Sequence, residues 1–131
     1  NNSFSELVDN CLAKNQKKII EIINENNFSS DDAIIIVRTF LSKAKRLLKI
    51  NKEISSSKNL DSTLNALKPP IFWKDKDIVK KQIKNYSTKN TLLLINSINN
   101  AELQIKKNYD NSINILLDFI FSQVKSVNNK I

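Results

Sequence analysis

The chain has 131 residues, a length typical of one domain, and 40% of its residues are hydrophobic. A domain of this length can bury roughly two-thirds of the surface that its unfolded chain exposes, so it needs neither disulfides nor metal to form a core. With no Gly, no His and one Cys, the sequence excludes a P-loop, a dinucleotide-binding loop, a histidine general base, and a disulfide or cysteine zinc site within one chain.

The net charge is +8, from 21 basic and 13 acidic side chains. Such an excess indicates a polyanionic partner. It is equally explained by AT-rich coding, because Lys, Asn and Ile dominate and only Arg38 and Arg46 are arginines. Arginine recognises phosphates and bases better than lysine does, so we expect any DNA contact to be weak or indirect.

Apolar residues recur at intervals of three and four, which predicts an all-α fold. Short connections indicate an antiparallel bundle of about six or seven helices, forming a single domain over residues 1–131. The predicted helices cover residues 5–14, 16–26, 30–53, 60–67, 74–86, 88–107 and 111–127.

Several boundaries carry local capping signals. Ser29 and Asp32 have the spacing of a capping box at the start of the third helix, and Ser87 precedes the sixth. After the second helix, Asn26 or Asn27 is predicted to supply the left-handed residue that glycine usually provides.

The third helix carries a basic stripe beside its apolar stripe. Arg38, Lys45, Lys49 and Lys52 are displaced by about 110° around the helix from the core-facing residues. These four are candidate phosphate contacts. The other interpretation is an ordinary solvated face.

The turn before the fifth helix contains Pro69 and Pro70, which end helical structure and set the angle of the next helix. With Phe72, Trp73 and Gln82 they form a candidate structural elbow. The two aromatic side chains either seal a helix junction in the core or anchor a partner. Gln82 lies in an apolar stripe and must find hydrogen-bond partners, either in the proline turn or on a neighbouring subunit.

The last two helices contain the candidate assembly residues. Between Ile113 and Phe121 the final helix is apolar on nearly every side, so part of it is expected to remain for a partner. Glu102 and Lys106 lie one turn apart, either as an exposed ion pair or as half of a network between subunits.

Catalytic and membrane roles find no support in the residue pattern. Cys11 is predicted to be a small buried residue on the first helix, and the acidic pairs look like helix-start residues. We predict no catalytic site, cofactor or metal. No apolar run approaches the ~20 residues of a membrane span, and the single Cys fits the cytoplasm. The start at Asn1 and the absence of Met indicate a piece of a longer chain.

Five segments form an ordered set of motifs: residues 68–74 (KPPIFWK), Gln82, Tyr86-Ser87, residues 101–106 (AELQIK) and residues 114–120 (NILLDFI). In this order they resemble the C-terminal collar domain of the delta subunit of bacterial DNA polymerase III clamp loaders. The helices before residue 48 fit the start of that domain in order and length. Asp118 departs from the pattern, since many relatives have a basic residue there.

The resemblance implies a non-catalytic module that helps to load the sliding clamp during DNA replication. It implies packing against delta prime and gamma/tau-type subunits, with Glu102, Lys106, Phe119 and Phe121 as the candidate interface. The clamp itself would be bound by an N-terminal ATPase-like part outside this chain, and nucleotidyl transfer would belong to the polymerase complex. The alternative hypothesis is a free-standing basic helical domain that binds nucleic acid.

Overall fold

The computed structural model describes residues 2–57, 59–68 and 70–125. Within these residues the chain forms seven α-helices and two single 3-10 turns, and no strand occurs among them. The helices are α1 (Asn2–Leu12), α2 (Gln16–Glu25), α3 (Ser30–Ser57), α4 (Leu60–Asn65), α5 (Lys76–Asn85), α6 (Thr88–Lys107) and α7 (Ser112–Lys125). The predicted all-α class is confirmed.

Two helix starts follow the capping signals of the sequence, at Ser29 and at Ser87. The Asp32 carboxylate accepts from the Ser29 backbone N–H at 2.9 Å, and the Ser29 hydroxyl accepts from the Asp32 N–H at 3.2 Å. Ser87 Oγ likewise accepts from the Asn90 N–H at 3.1 Å. These bonds satisfy N–H groups that have no partner inside the helix, so both predicted starts are confirmed.

Helix ends are closed without glycine. The prediction of a left-handed residue at Asn26 or Asn27 is wrong, because Asn26 is extended at φ −124°. Its side-chain amide instead donates to the Ile22 carbonyl at 2.8 Å, which satisfies an end group directly. Among the described residues only Lys14, after α1, has a positive φ, at 58°.

Two apolar clusters lie along α3, which at 28 residues is about 42 Å long. The larger core joins α1, α2, α6 and α7 to the first two-thirds of α3, around Phe40. The smaller core lies at the other end of α3, around Ile50. It contains Leu64 of α4, Val79 of α5, and Leu67 and Ile71 from the segment between these two helices. The chain therefore turns back on α3 twice, and the segment between α4 and α5 closes the second core.

No helix among the described residues combines the length and the apolar character that crossing a membrane would require.

Candidate interaction surfaces

The predicted elbow directs its two aromatic side chains outward. Phe72 is 72% exposed and Trp73 is 83% exposed, so the expectation that they seal a junction in the core is wrong. Leu67 and Ile71 of the same turn fill the smaller core instead, which leaves the aromatic rings on the solvent side. Pro70 is exposed, and Pro69 lies outside the described residues.

Gln82 is buried, as its place in the apolar stripe required, but neither expected partner is the one it contacts. Its Nε2 donates to the Asp9 carbonyl of α1 at 2.9 Å. One turn further, Asn85 Nδ2 donates to the Leu12 carbonyl at 3.1 Å. Two side-chain amides of α5 therefore hold the C-terminal end of α1 through bonds across 73 residues of sequence.

Phe119 belongs to the core and not to a free surface. It is buried, and its ring meets Phe40 of α3 edge-on with the centroids 5.4 Å apart. Phe121 is half-buried and packs on the same core. The sequence led us to expect exposed apolar side chains on α7, and the structure does not place them there. The neighbouring helices cover α7 well enough that no large apolar side chain of its described residues is exposed.

Glu102 and Lys106 form an ion pair that α3 extends. Lys106 Nζ lies 2.7 Å from Glu102 Oε2, and Arg38 Nε of α3 approaches the same oxygen at 3.9 Å. Arg38 was a candidate phosphate contact in the sequence, but here it faces a carboxylate. Its contact with Glu102 distinguishes it from Lys45, Lys49 and Lys52, which form no ion pair with any described residue.

The exposed apolar side chains of the last two helices lie on α6. Leu92, Leu93 and Leu103 are 47%, 55% and 48% exposed. Asn96, Asn99 and Asn100 fill the surface between them and are exposed too. We call these six residues the α6 face. From Asn90 to Ala101 the helix has no charged residue, although 26% of the whole chain is charged.

A basic groove runs along the middle of α3. It has a volume of about 500 Å³ and is lined by Ser42, Lys43, Lys45, Arg46, Lys49, Leu67 and Lys68. Lys43 is neutralised, because its Nζ lies 2.7 Å from Asp9 Oδ1 and the same distance from Ser5 Oγ. Lys45, Arg46, Lys49 and Lys68 form no ion pair with any described residue.

The sequence named only part of this groove. Lys45 and Lys49 belong to the predicted stripe, and Lys52 is exposed beyond the lining residues. Arg46 and Lys68 were missed. Arg46 was missed because it lies outside the stripe formed by the predicted basic residues of α3. Lys68 was missed because it reaches the groove only where the turn after α4 folds back on α3.

Cys11 is 1% exposed, and burial raises the pKa of its thiol. A raised pKa keeps the thiol protonated at neutral and mildly alkaline pH, and the thiolate is the nucleophile. Among the described residues no group of three His, Cys, Asp or Glu side chains is placed to hold a metal ion.

We therefore expect the Cys11 thiol to be unreactive toward alkylating reagents in the folded protein. At pH 8 its alkylation by iodoacetamide should be at least ~100-fold slower than in guanidinium chloride, because both access and thiolate formation are suppressed. Mass spectrometry over time measures the two rates. Comparable rates would contradict the buried position of Cys11.

Comparisons with protein-family models, with curated protein sequences and with solved structures found no match to this chain.

Proposed function

We propose that this chain is a non-catalytic assembly module that uses the α6 face to pack against other helical subunits. Because its motifs resemble those of that family, we propose that the parent protein is the delta subunit of a bacterial DNA polymerase III clamp loader. In that role it would join delta prime and gamma/tau-type subunits in a collar while an N-terminal part held the sliding clamp.

The observation that carries the proposal is the composition of the α6 face. The buried centres of protein interfaces are depleted of charged residues and enriched in apolar ones. On a chain with net charge +8, a helix face with three exposed leucines, three asparagines and no charge matches that pattern. Amide side chains between the leucines can hydrogen-bond across a helix–helix contact without the desolvation cost of an ion.

The Glu102–Lys106 pair lies at the C-terminal end of the α6 face. Its bonds to one another and to Arg38 keep it within the chain, so it suits the polar rim of the interface better than the centre. Phe119 belongs to the core, where its ring packs α7 on α3.

The test inserts one charge into the α6 face. Asn96→Glu puts a good helix former at an exposed position in the middle of the α6 face, so the fold should be retained. No charged residue lies within four positions of residue 96, so the new carboxylate has no partner on its own helix. Burying it against a partner should weaken binding by ~100-fold or more, since an uncompensated buried charge costs roughly 3–5 kcal/mol. Binding is measured by surface plasmon resonance against delta prime and gamma/tau-type subunits from the same genome.

The matched control is Asn24→Glu on α2, the same substitution at an exposed position outside the α6 face. It should bind as the unmodified chain does, and circular dichroism should show both variants folded. If the unmodified chain binds none of these subunits, the clamp-loader assignment fails. If both variants bind equally well, the interface lies elsewhere.

A further inference from the structure

A groove runs along α6 on the side that faces α7. Two recesses form it, with volumes of about 200 Å³ and about 280 Å³. Ser97 of α6 and Gln123 of α7 line both recesses, so the two join at this level into one surface, which we call the α6–α7 groove. The first recess extends from Ser97 toward the start of α6, and the second extends toward its end.

The residues that α6 contributes to this groove have the spacing of a helix–helix seam. They follow one another at intervals of three, four, three and four residues: Asn90, Leu93, Ser97, Asn100 and Gln104. At this spacing two helices meet along their length, and each side chain enters a hole between side chains of the facing helix. Within the chain, α6 packs on the core through a different stripe. A second helix therefore has the shape that the α6–α7 groove fits.

The two ends of the α6–α7 groove carry opposite charges. Lys14 lines only the first recess, where its Nζ lies 4.8 Å from the centre of the Tyr86 ring. Asp118 lines only the second recess, is exposed, and forms no ion pair with any described residue. Among the described residues that line the groove, these two are the only charged ones. A partner that complements the groove therefore carries a negative group at one end and a positive group at the other.

A second copy of the same groove meets this requirement when it is turned by 180°. Asn90 and Gln104 each lie seven residues from Ser97, about 10 Å along the helix axis, in opposite directions. Asn90 shares the recess of Lys14, and Gln104 shares the recess of Asp118. A twofold axis at Ser97 therefore brings Lys14 of each copy to Asp118 of the other, and the surface is complementary to itself.

We propose that a second copy of this chain occupies the α6–α7 groove and that the two copies form an antiparallel dimer about Ser97. In this dimer Leu93 of each copy faces the second recess of the other, because Leu93 and Ala101 both lie four residues from Ser97. Ala101 and Ile115 give that recess an apolar wall. The small side chain of Ser97 lets the two helices approach closely, and the amide side chains of the seam fix its register.

Self-association goes beyond the subunit contact proposed above. Leu93 and Asn100 also belong to the α6 face, so a paired chain cannot bind another subunit through the whole of that face. The dimer must therefore dissociate before the assembly that we propose. Lys14 and Asp118 lie outside the α6 face, so changing them tests self-association alone, and the two proposals fail or succeed separately.

The dimer should be weak but measurable. Because most of the seam residues are amides or Ser, we expect a dissociation constant on the order of 10–100 µM. Sedimentation equilibrium at about 5–500 µM protein measures it, since the dimer fraction must rise with concentration. A monomer at every concentration would overturn the proposal.

Reversing one charge tests the pairing of the two ends. Lys14→Asp places a carboxylate opposite Asp118, and Asp118→Lys places a cation opposite Lys14. Because twofold symmetry repeats each contact, either change turns two attractions into two repulsions and should weaken self-association by ~10-fold or more. Lys14 has φ 58°, a conformation that Asp tolerates, so Lys14→Asp should fold. Should it not fold, Asp118→Lys on the exposed side of α7 carries the test alone.

An equimolar mixture of the two single variants gives the sharpest test. One variant is acidic at both ends of the groove and the other is basic at both ends. The mixture should therefore form a heterodimer with an affinity within ~3-fold of that of the unmodified chain, and the double variant should recover self-association to the same extent. If folded variants recover in neither sample, Lys14 and Asp118 do not pair and the proposed geometry is wrong.

The matched control is Lys17→Asp, the same change at an exposed lysine of α2 outside the groove. It alters the net charge equally and should leave the dissociation constant within ~2-fold. An equal loss in this control would overturn the groove as the site and indicate a general effect of charge.

Ser97→Cys tests the position of the twofold axis. Cys11 is buried, so the added thiol is the accessible one. The two copies of residue 97 face each other in the proposed dimer, so oxidised glutathione should convert most of this variant into a disulfide-linked dimer. Asn24→Cys, at an exposed position of α2 outside the groove, should remain mostly monomeric under the same conditions. Equal cross-linking of the two variants would contradict an axis at Ser97.

Discussion

Phe119→Ala should lower the free energy of unfolding by about 3–5 kcal/mol. The ring is buried where α7 meets α3, and its removal takes apolar surface out of the core and leaves a cavity that the rigid helices fill only in part. The edge-on contact with Phe40 is lost as well. Urea unfolding followed by circular dichroism measures the difference.

Phe121→Ala is the matched control on the same helix. Because Phe121 is only half-buried, its truncation should cost about 1–2 kcal/mol, in proportion to the apolar area removed from water. Equal losses for the two variants would contradict the burial difference. If Phe119→Ala left stability unchanged and abolished subunit binding, the result would support the sequence prediction that Phe119 lies in a subunit interface.

A double-mutant cycle separates the ring contact from ordinary burial. Phe40→Ala alone should also cost about 3–5 kcal/mol, and the coupling between the two substitutions should be about 0.5–1.5 kcal/mol if the edge-on geometry contributes. A coupling near zero would mean that the two rings act only through the area that they bury.

Gln82→Leu should lower the free energy of unfolding by about 1–3 kcal/mol although it makes the residue more apolar. Leucine fills a similar volume but cannot donate to the Asp9 carbonyl, and that bond joins α5 to the end of α1. The loss would show that docking of these helices depends on a specific hydrogen bond as well as on packing. Thermal and urea unfolding measure it.

Gln104→Leu is the control for this prediction. Gln104 is half-buried on α6, and its side chain forms no hydrogen bond with any described residue, so the change should stay within about 0.5 kcal/mol. A stabilised Gln82→Leu protein would contradict the structural importance of the bond to α1.

Short-range features were predictable because their causes lie within one helical turn. The apolar spacing gave seven helices close to their observed bounds, and the reciprocal bonds of Ser29 and Asp32 span three residues. The burial of Gln82 was also predictable, since it followed from its position in an apolar stripe. Its partner was not, because Asp9 is 73 residues away and the angle at which α5 meets α1 is not encoded in either helix alone.

The candidate surfaces show the same division. The lysine spacing on α3 located Lys45 and Lys49, but only the return of the chain after α4 placed Lys68 beside them. Composition marked Phe72 and Trp73 as notable without saying which way they point. Leu67 and Ile71 occupy the available space in the smaller core, and the direction of the two aromatic rings follows from that.

The sequence by itself therefore determined the helical class, the approximate helix bounds, the helix starts at Ser29 and Ser87, and the absence of glycine- and histidine-based sites. These follow from composition and from interactions between residues three or four apart. Only the tertiary structure decided that Phe119 is core, that α6 exposes the leucines, and that four cations meet in one groove. Each of those outcomes depends on which helix faces cover one another, and that is set by the packing of all the helices together.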